Sequence, residues 1–168
     1  MPLDHAWIEQ HIPHKGRMCL LDDVLSWDAS RIRCRSASHR TPDNPLRAHG
    51  RLGAACGIEY AAQAMAVHGA LVGASAPLAS TMAINLRRSI DHVAVGYLAS
   101  VRNVIFHVAR LDDLSGDLIA AAERVTGDAR TVLYEFALWS ETQPLLQGRA
   151  SIVIDAAFAA RIVHGIPA

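Results

Sequence analysis

A glutamate stands inside an otherwise small and apolar stretch, GIEYAAQAMAVHG, residues 57–69. Gln63 follows Glu59 by four positions, a spacing that puts both on one stripe of a helix. Their neighbours Ala61, Ala62, Ala64, Met65, Ala66 and Val67 belong out of water. The carboxyl must therefore be satisfied by partners, used in chemistry, or both. An ionised carboxylate among alanines is costly unless paired, so burial is expected to raise its pKa. A carboxyl kept protonated near neutral pH can donate its proton to a departing hydroxyl. The plain alternative is a structural glutamate held by loop amides or an arginine. Gln63, one turn on, is expected to orient that carboxyl, to contact a substrate, or only to satisfy a buried polar site. His68 lies nine residues after Glu59, about 900° of helix rotation, which makes it a polar anchor on the opposite face.

Other chemistries find little support. HIPH, residues 11–14, has a His-x-x-His spacing, but Pro13 disfavours a regular helical pair and no third ligand is evident, so no metal is expected. Cys19, Cys34 and Cys56 are scattered among apolar residues, which fits core packing in a reducing compartment better than a disulfide framework or a nucleophile. There is no glycine-rich phosphate loop, and neither a nucleotide nor any other cofactor is expected. The formal net charge is zero, which leaves no overall basic footprint for nucleic acid. The first eleven residues lack a basic start and a continuous apolar core, so they do not read as a signal peptide. Residues 54–72 are apolar enough to raise a membrane span, but Glu59, Gln63 and His68 inside that window argue for a buried core helix. A cytoplasmic protein is the expectation.

The elements that must hold these residues follow from the pattern. A length of 168 residues suits one domain, with a core over about 12–155 and a tail or short helix at 156–168. Hydrophobic residues make up 51% and charged residues 19%, a balance that favours burial of some surface in an oligomer. A short helix is predicted from Asp4 to His11, stopped by Ile12-Pro13. In RIRCRSASH, Ile32, Cys34 and Ser36 alternate with Arg31, Arg33 and Arg35, a period of two that predicts a strand with one wet face. That arginine row reads as solvated, or as a face for an acidic partner. RTPDNPLRAHGRLG has loop chemistry and leads into a helix from about Ala54 to Val72, apolar almost all round. Residues 81–96 are compatible with strand or loop. Strands follow over 99–111, 118–127, 130–140 and 148–156; propensity alone would make 118–127, LIAAAERVTG, a helix. The simplest assembly is α+β, an antiparallel sheet curled around one long central helix.

That outline, with three local matches, resembles the hotdog fold, and more narrowly the 3-hydroxyacyl-acyl-carrier-protein dehydratases. The matches are IPHKGRMCLLDDVLSWD (12–28), with a Pro-His ahead of an apolar run and an acid; GIEYAAQAM (57–65), with Glu followed four residues later by Gln; and the ending LSGDLIAAAERV, YEFALW and LLQGRASIVID. The nearest similarity is to the predicted dehydratase-like proteins of aryl-polyene gene clusters. The resemblance implies a (3R)-hydroxyacyl-thioester dehydratase acting on acyl-carrier-protein or coenzyme A thioesters in fatty-acid or polyene-type biosynthesis. An acyl thioesterase and a catalytically degenerate subunit that binds acyl chain or carrier stand as alternatives. It implies a homodimer or higher oligomer, or a heterodimer with a paralogue, with the site at the interface between subunits.

The resemblance also assigns roles. Glu59 would be the general acid. The family's histidine, in a Gly-His-Phe-Pro-Gly loop, stands fourteen residues before the helical glutamate, where this chain has Pro45. His49, ten residues before Glu59, is the positional candidate for the base, and a solvated loop histidine is its alternative. His14 matches a family position near the first strand, with a structural or substrate-contacting role. Backbone amides at Ala54 and Ala55, at the positive end of the helix, could polarise a thioester carbonyl as its enolate forms. Tight helix–sheet packing explains the small residues there equally well.

Overall fold

The computed structural model describes residues 2–75, 96–128 and 130–154. Helix α1, His5–His11, begins where the Asp4 carboxylate accepts the Trp7 N–H at 3.0 Å. It ends at Ile12, which is extended, as the residue before a proline must be to avoid its ring. Ile8 is fully buried and pins the short helix to the core.

Strands β1, Asp23–Trp27, and β2, Arg31–Ser36, form an antiparallel pair. Ile32, Cys34 and Ser36 are buried while Arg31 and Arg33 are exposed, so the expected alternation holds. After a loop comes helix α2, Gly57–Ser75, entered through a 3-10 turn at Ala54–Cys56. Strands β3, Gly96–Phe106, β4, Leu118–Gly127, β5, Thr131–Ser140, and β6, Gln143–Ile154, complete the sheet. All neighbours are antiparallel and the order is β1-β2-β4-β5-β6-β3.

One face of the sheet wraps α2, which packs chiefly on β4, β2 and β5. The expected hotdog architecture is therefore present. The alanine-rich β4 shows why it is a strand despite helical propensity. It is hydrogen-bonded on both sides, and Ala120 and Ala122 are buried towards the helix, where small side chains allow close approach. Gly57 serves the same end, because a Cβ there would stand 2.8 Å from Leu138 Cδ2. In β5, Val132, Tyr134, Phe136 and Leu138 share the inner face as their spacing requires.

The helix extends to Ser75, a turn beyond the expected end near Val72, since nothing in GAS forces a stop. Strand β6 begins at Gln143, five residues earlier than expected, because Leu145 and Leu146 are core residues. Most of the segment 81–96 and the tail 156–168 lie outside the described residues. Among the described residues no helix is long and apolar enough to cross a membrane.

Candidate functional site

The segment between α1 and β1 crosses α2 at the level of Glu59. Gly16, with φ of 53°, turns the chain there, and its N–H is held by Glu9 Oε1 at 2.6 Å. Lys15 Nζ donates to the carbonyls of Ile12, at 2.8 Å, and of Glu9. This folding brings His14 against the helix, with Nε2 2.9 Å from Glu59 Oε1. Both side chains are about two-thirds buried, His14 being 27% and Glu59 30% exposed.

Gln63 is fully buried, and its amide has only one satisfactory orientation. The Leu20 N–H can only donate, so Gln63 Oε1 faces it at 2.8 Å. The Gln63 Nε2 then donates to the Met18 carbonyl at 2.7 Å and to Glu59 Oε1 at 3.0 Å. Oε1 thus takes bonds from two side chains. Glu59 Oε2 has no hydrogen-bond partner among the described residues and is not sealed from solvent.

These donors decide the charge of Glu59. Burial pushes its carboxyl up, but the hydrogen bonds from His14 and Gln63 outweigh it and the net direction is down. This corrects the expectation of a raised pKa, which considered the alanines around Glu59 and not the two donors that fold onto it. An ionised carboxylate only accepts, so the His14 nitrogen facing it carries a proton. The other ring nitrogen, Nδ1, is buried without a partner among the described residues.

The Gln63→Leu substitution tests this arrangement. It removes a donor from Glu59 and orphans Leu20 N–H and Met18 C=O, which costs roughly 1–3 kcal/mol. The Glu59 pKa should rise, moving the acid limb of the activity–pH profile upward. An unmoved limb would show that Gln63 does not set the charge of Glu59.

The remaining candidates lie apart. His49, with φ of 51°, and Gly50, with φ of 73°, form the tip of a tight turn closed by the Ala48 and Arg51 backbones at 2.9 and 3.0 Å. His49 is exposed, and among the described residues its side chain makes no hydrogen bond or ion pair, with Glu59 or otherwise. The Ala54 amide is not an orphan donor, which corrects the expectation for that residue. It bonds the Ala109 carbonyl at 3.1 Å, because the chain before α2 runs as a short ladder beside residues 109–111. Ala55 is exposed beside it. His68 is the expected anchor, with Nδ1 2.9 Å from Tyr134 Oη and Nε2 2.9 Å from the Asp28 carbonyl.

Of the HIPH pair, His11 Nδ1 bonds the Trp7 carbonyl at 2.7 Å while His14 meets Glu59, so the two do not converge. Among the described residues no group of three or more His, Cys, Asp or Glu side chains is arranged to hold a metal. Burial pushes the Cys34 thiol up to about 12, far from a nucleophilic thiolate.

Two contacts that the sequence reading missed support the site. Tyr60, fully buried one residue after Glu59, accepts from Asn44 Nδ2 at 2.9 Å and lies 3.0 Å from Ser38 Oγ, fastening the loop to α2. Asp112, whose side chain is 4% exposed, binds Arg47 at 3.1 Å, Arg110 at 2.6 Å and the Leu52 N–H at 3.1 Å, fixing the approach to α2. A single aspartate after a strand gave no signal of this in the sequence.

The Arg110 hydrogen bonds, helped by the Leu52 amide, hold the Asp112 carboxyl well below the ordinary carboxylate range. Its folded pKa being depressed, its contribution to stability is complete above about pH 4. That contribution is lost as pH falls through the lower folded value. The stability gap between wild type and Asp112→Asn in thermal melts should therefore be constant above about pH 4 and shrink progressively as the pH falls below it. A gap independent of pH would exclude this role.

The family model described as ApeP-like, ApeP dehydratase, matches residues 6–162. A solved structure described as the dehydratase heterocomplex ApeI:P from Xenorhabdus doucetiae is similar over 99% of both chains, with a TM-score of 0.70 and 18% identity. The E. coli PaaI protein of the phenylacetic acid degradation operon is similar over 78% of this chain and 81% of its own, with a TM-score of 0.52 and 14% identity. A point mutant of the Pseudomonas aeruginosa thioesterase PA1618 is similar over 79% of each chain, with a TM-score of 0.50 and 12% identity. No curated protein sequence matches the chain at a significant level. The structural likenesses establish the hotdog fold, and with the family match across nearly the whole chain they show that this protein belongs to the ApeP-like family of dehydratases.

Proposed function

We propose that the protein takes part in dehydrating 3-hydroxyacyl thioesters carried on acyl-carrier protein or coenzyme A, with His14 and Glu59 as the reacting pair. The observation that carries this reading is the 2.9 Å contact between them on the central helix. His14 holds a proton towards Glu59, which leaves Nδ1, buried and unpartnered among the described residues of the unbound chain, as the base once a bound substrate displaces the side chains over it. In the reaction Nδ1 takes the α-proton, the electron pair forms the Cα–Cβ double bond, and the β-hydroxyl leaves as water. Glu59 delivers the proton that the leaving hydroxyl needs and receives it from His14 Nε2. The pair ends with the protons it started with. The lowered pKa of Glu59 fits a relay supplied at the moment of reaction better than a stored acid. Gln63 keeps the carboxylate aimed throughout.

The described likeness to a heterocomplex supports assembly with a paralogous subunit. The test is enoyl formation from a 3-hydroxyacyl thioester by the purified chain, alone and co-expressed with that subunit. Formation of the enoyl absorbance in either preparation, lost in the His14→Ala variant, is expected. An undiminished rate in that variant would sink the assignment.

One observation favours hydrolysis as a second reading: an ionised carboxylate with its Oε2 free can direct a water at the thioester. Release of thiol from a saturated acyl thioester, without any enoyl product, would select it.

A further inference from the structure

The face of the sheet turned away from α2 carries two rows of side chains that cross the strands. Strand register puts Arg31, Glu123, Glu135, Arg149 and Arg102 in one line across β2, β4, β5, β6 and β3. The adjacent line reads Arg33, Ala121, Ala137, Gln147 and Ile105. The two alanines floor a hollow of about 630 Å³ walled by the charged row. Ile105, at the far end, is 50% exposed. Glu135 and Arg149 pair within the chain at 2.6 Å. Among the described residues Glu123 and Arg102 have no ion-pair partner.

These rows are self-complementary about one axis. A two-fold parallel to the strands, passing between β5 and β6, exchanges β4 with β3 and β5 with β6. It leaves each residue in its own row, as aligned sheet packing requires. Glu123 of one copy then meets Arg102 of the other, and Glu135 meets Arg149. In the adjacent row the same operation sets Ile105 over Ala121 and Gln147 over Ala137. The exposed large residue thus lies over the smallest, and the unpaired acid over the unpaired base. No other axis parallel to the strands matches both rows in this way. Facing sheets stand about 10 Å apart, a gap that Glu and Arg side chains span and that alanines leave open for Ile105.

We propose that this outer sheet face is an interface between two copies of the chain, packed back to back with Glu123 against Arg102 and Ile105 in the hollow over Ala121. The interface is independent of the dyad, which lies on the helix side. Its test is the solution mass of the protein by sedimentation equilibrium and light scattering. Glu123→Arg and Arg102→Glu should each halve the mass of the assembly, and the double exchange Glu123→Arg/Arg102→Glu should restore it. Ile105→Asp should halve it as well, and circular dichroism of each variant reports whether it has folded. A double exchange that stays dissociated, though folded, would overturn the proposal. So would single variants that keep the wild-type mass, or a wild type that is monomeric at concentrations of tens of micromolar. A mass unchanged by the single variants, coupled with loss of a co-purifying second protein, would assign the face to that protein instead.

Discussion

The Glu59→Gln variant is expected to fold as the wild type does and to lose roughly 10²–10⁴-fold in turnover, the range for removing a positioned acid or base. The amide keeps an oxygen for Gln63 and His14 and so preserves the shape of the site. It cannot take up and return a proton. The neutral side chain also removes the negative charge that stabilises an imidazolium on His14. The loss should therefore fall on kcat, with little change in KM. Circular dichroism and a melting temperature within a few degrees of wild type establish that the fold is intact. Full turnover in that folded variant would exclude Glu59 from the chemistry.

The second large effect separates two histidines. His14→Ala should cost about as much turnover as Glu59→Gln, and the double variant little more than either single, because two groups acting as a unit are not additive. His49→Ala should leave turnover within about twofold, since His49 sits at the tip of an exposed turn and bonds nothing among the described residues. His49→Gly should also be slightly stabilising, because glycine occupies the left-handed region at φ 51° without strain. Loss of activity in His49→Ala, with His14→Ala active, would reverse the assignment and return the base to the loop before α2.

The fold was legible because the sequence repeats one physical message in several places. Residues 31–36 and 131–138 alternate with period two, and 57–75 is apolar all round, so a sheet enclosing a helix was the only economical cover. Glu59 and Gln63 were legible for the opposite reason, as polar residues where the pattern calls for none. Partners are harder to read than anomalies. Gln63 is held by Met18 and Leu20 and Glu59 by His14, across separations of 43 to 45 residues. Such contacts depend on how the segment after Pro13 folds over α2, which local spacing does not encode. His49 looked closer because ten residues of chain separate it from Glu59. A tight turn at Ala48–Arg51 spends that proximity on a reversal at the surface. The charge of Glu59 was missed with its donors, since burial alone pushes the other way.

His14 and Glu59 meet within a single chain, so both halves of the pair travel together whatever the assembly. Sites shared between subunits can be rebuilt by mixing two dead parents, because some mixed pairs bring the sound halves together. Here no mixture of Glu59→Gln chains with His14→Ala chains contains an intact pair. Under the proposed mechanism each copy stands or falls by its own two side chains, and a second subunit would supply walls, substrate contacts or stability but not the missing half. In genetic terms the two lesions belong to one complementation group.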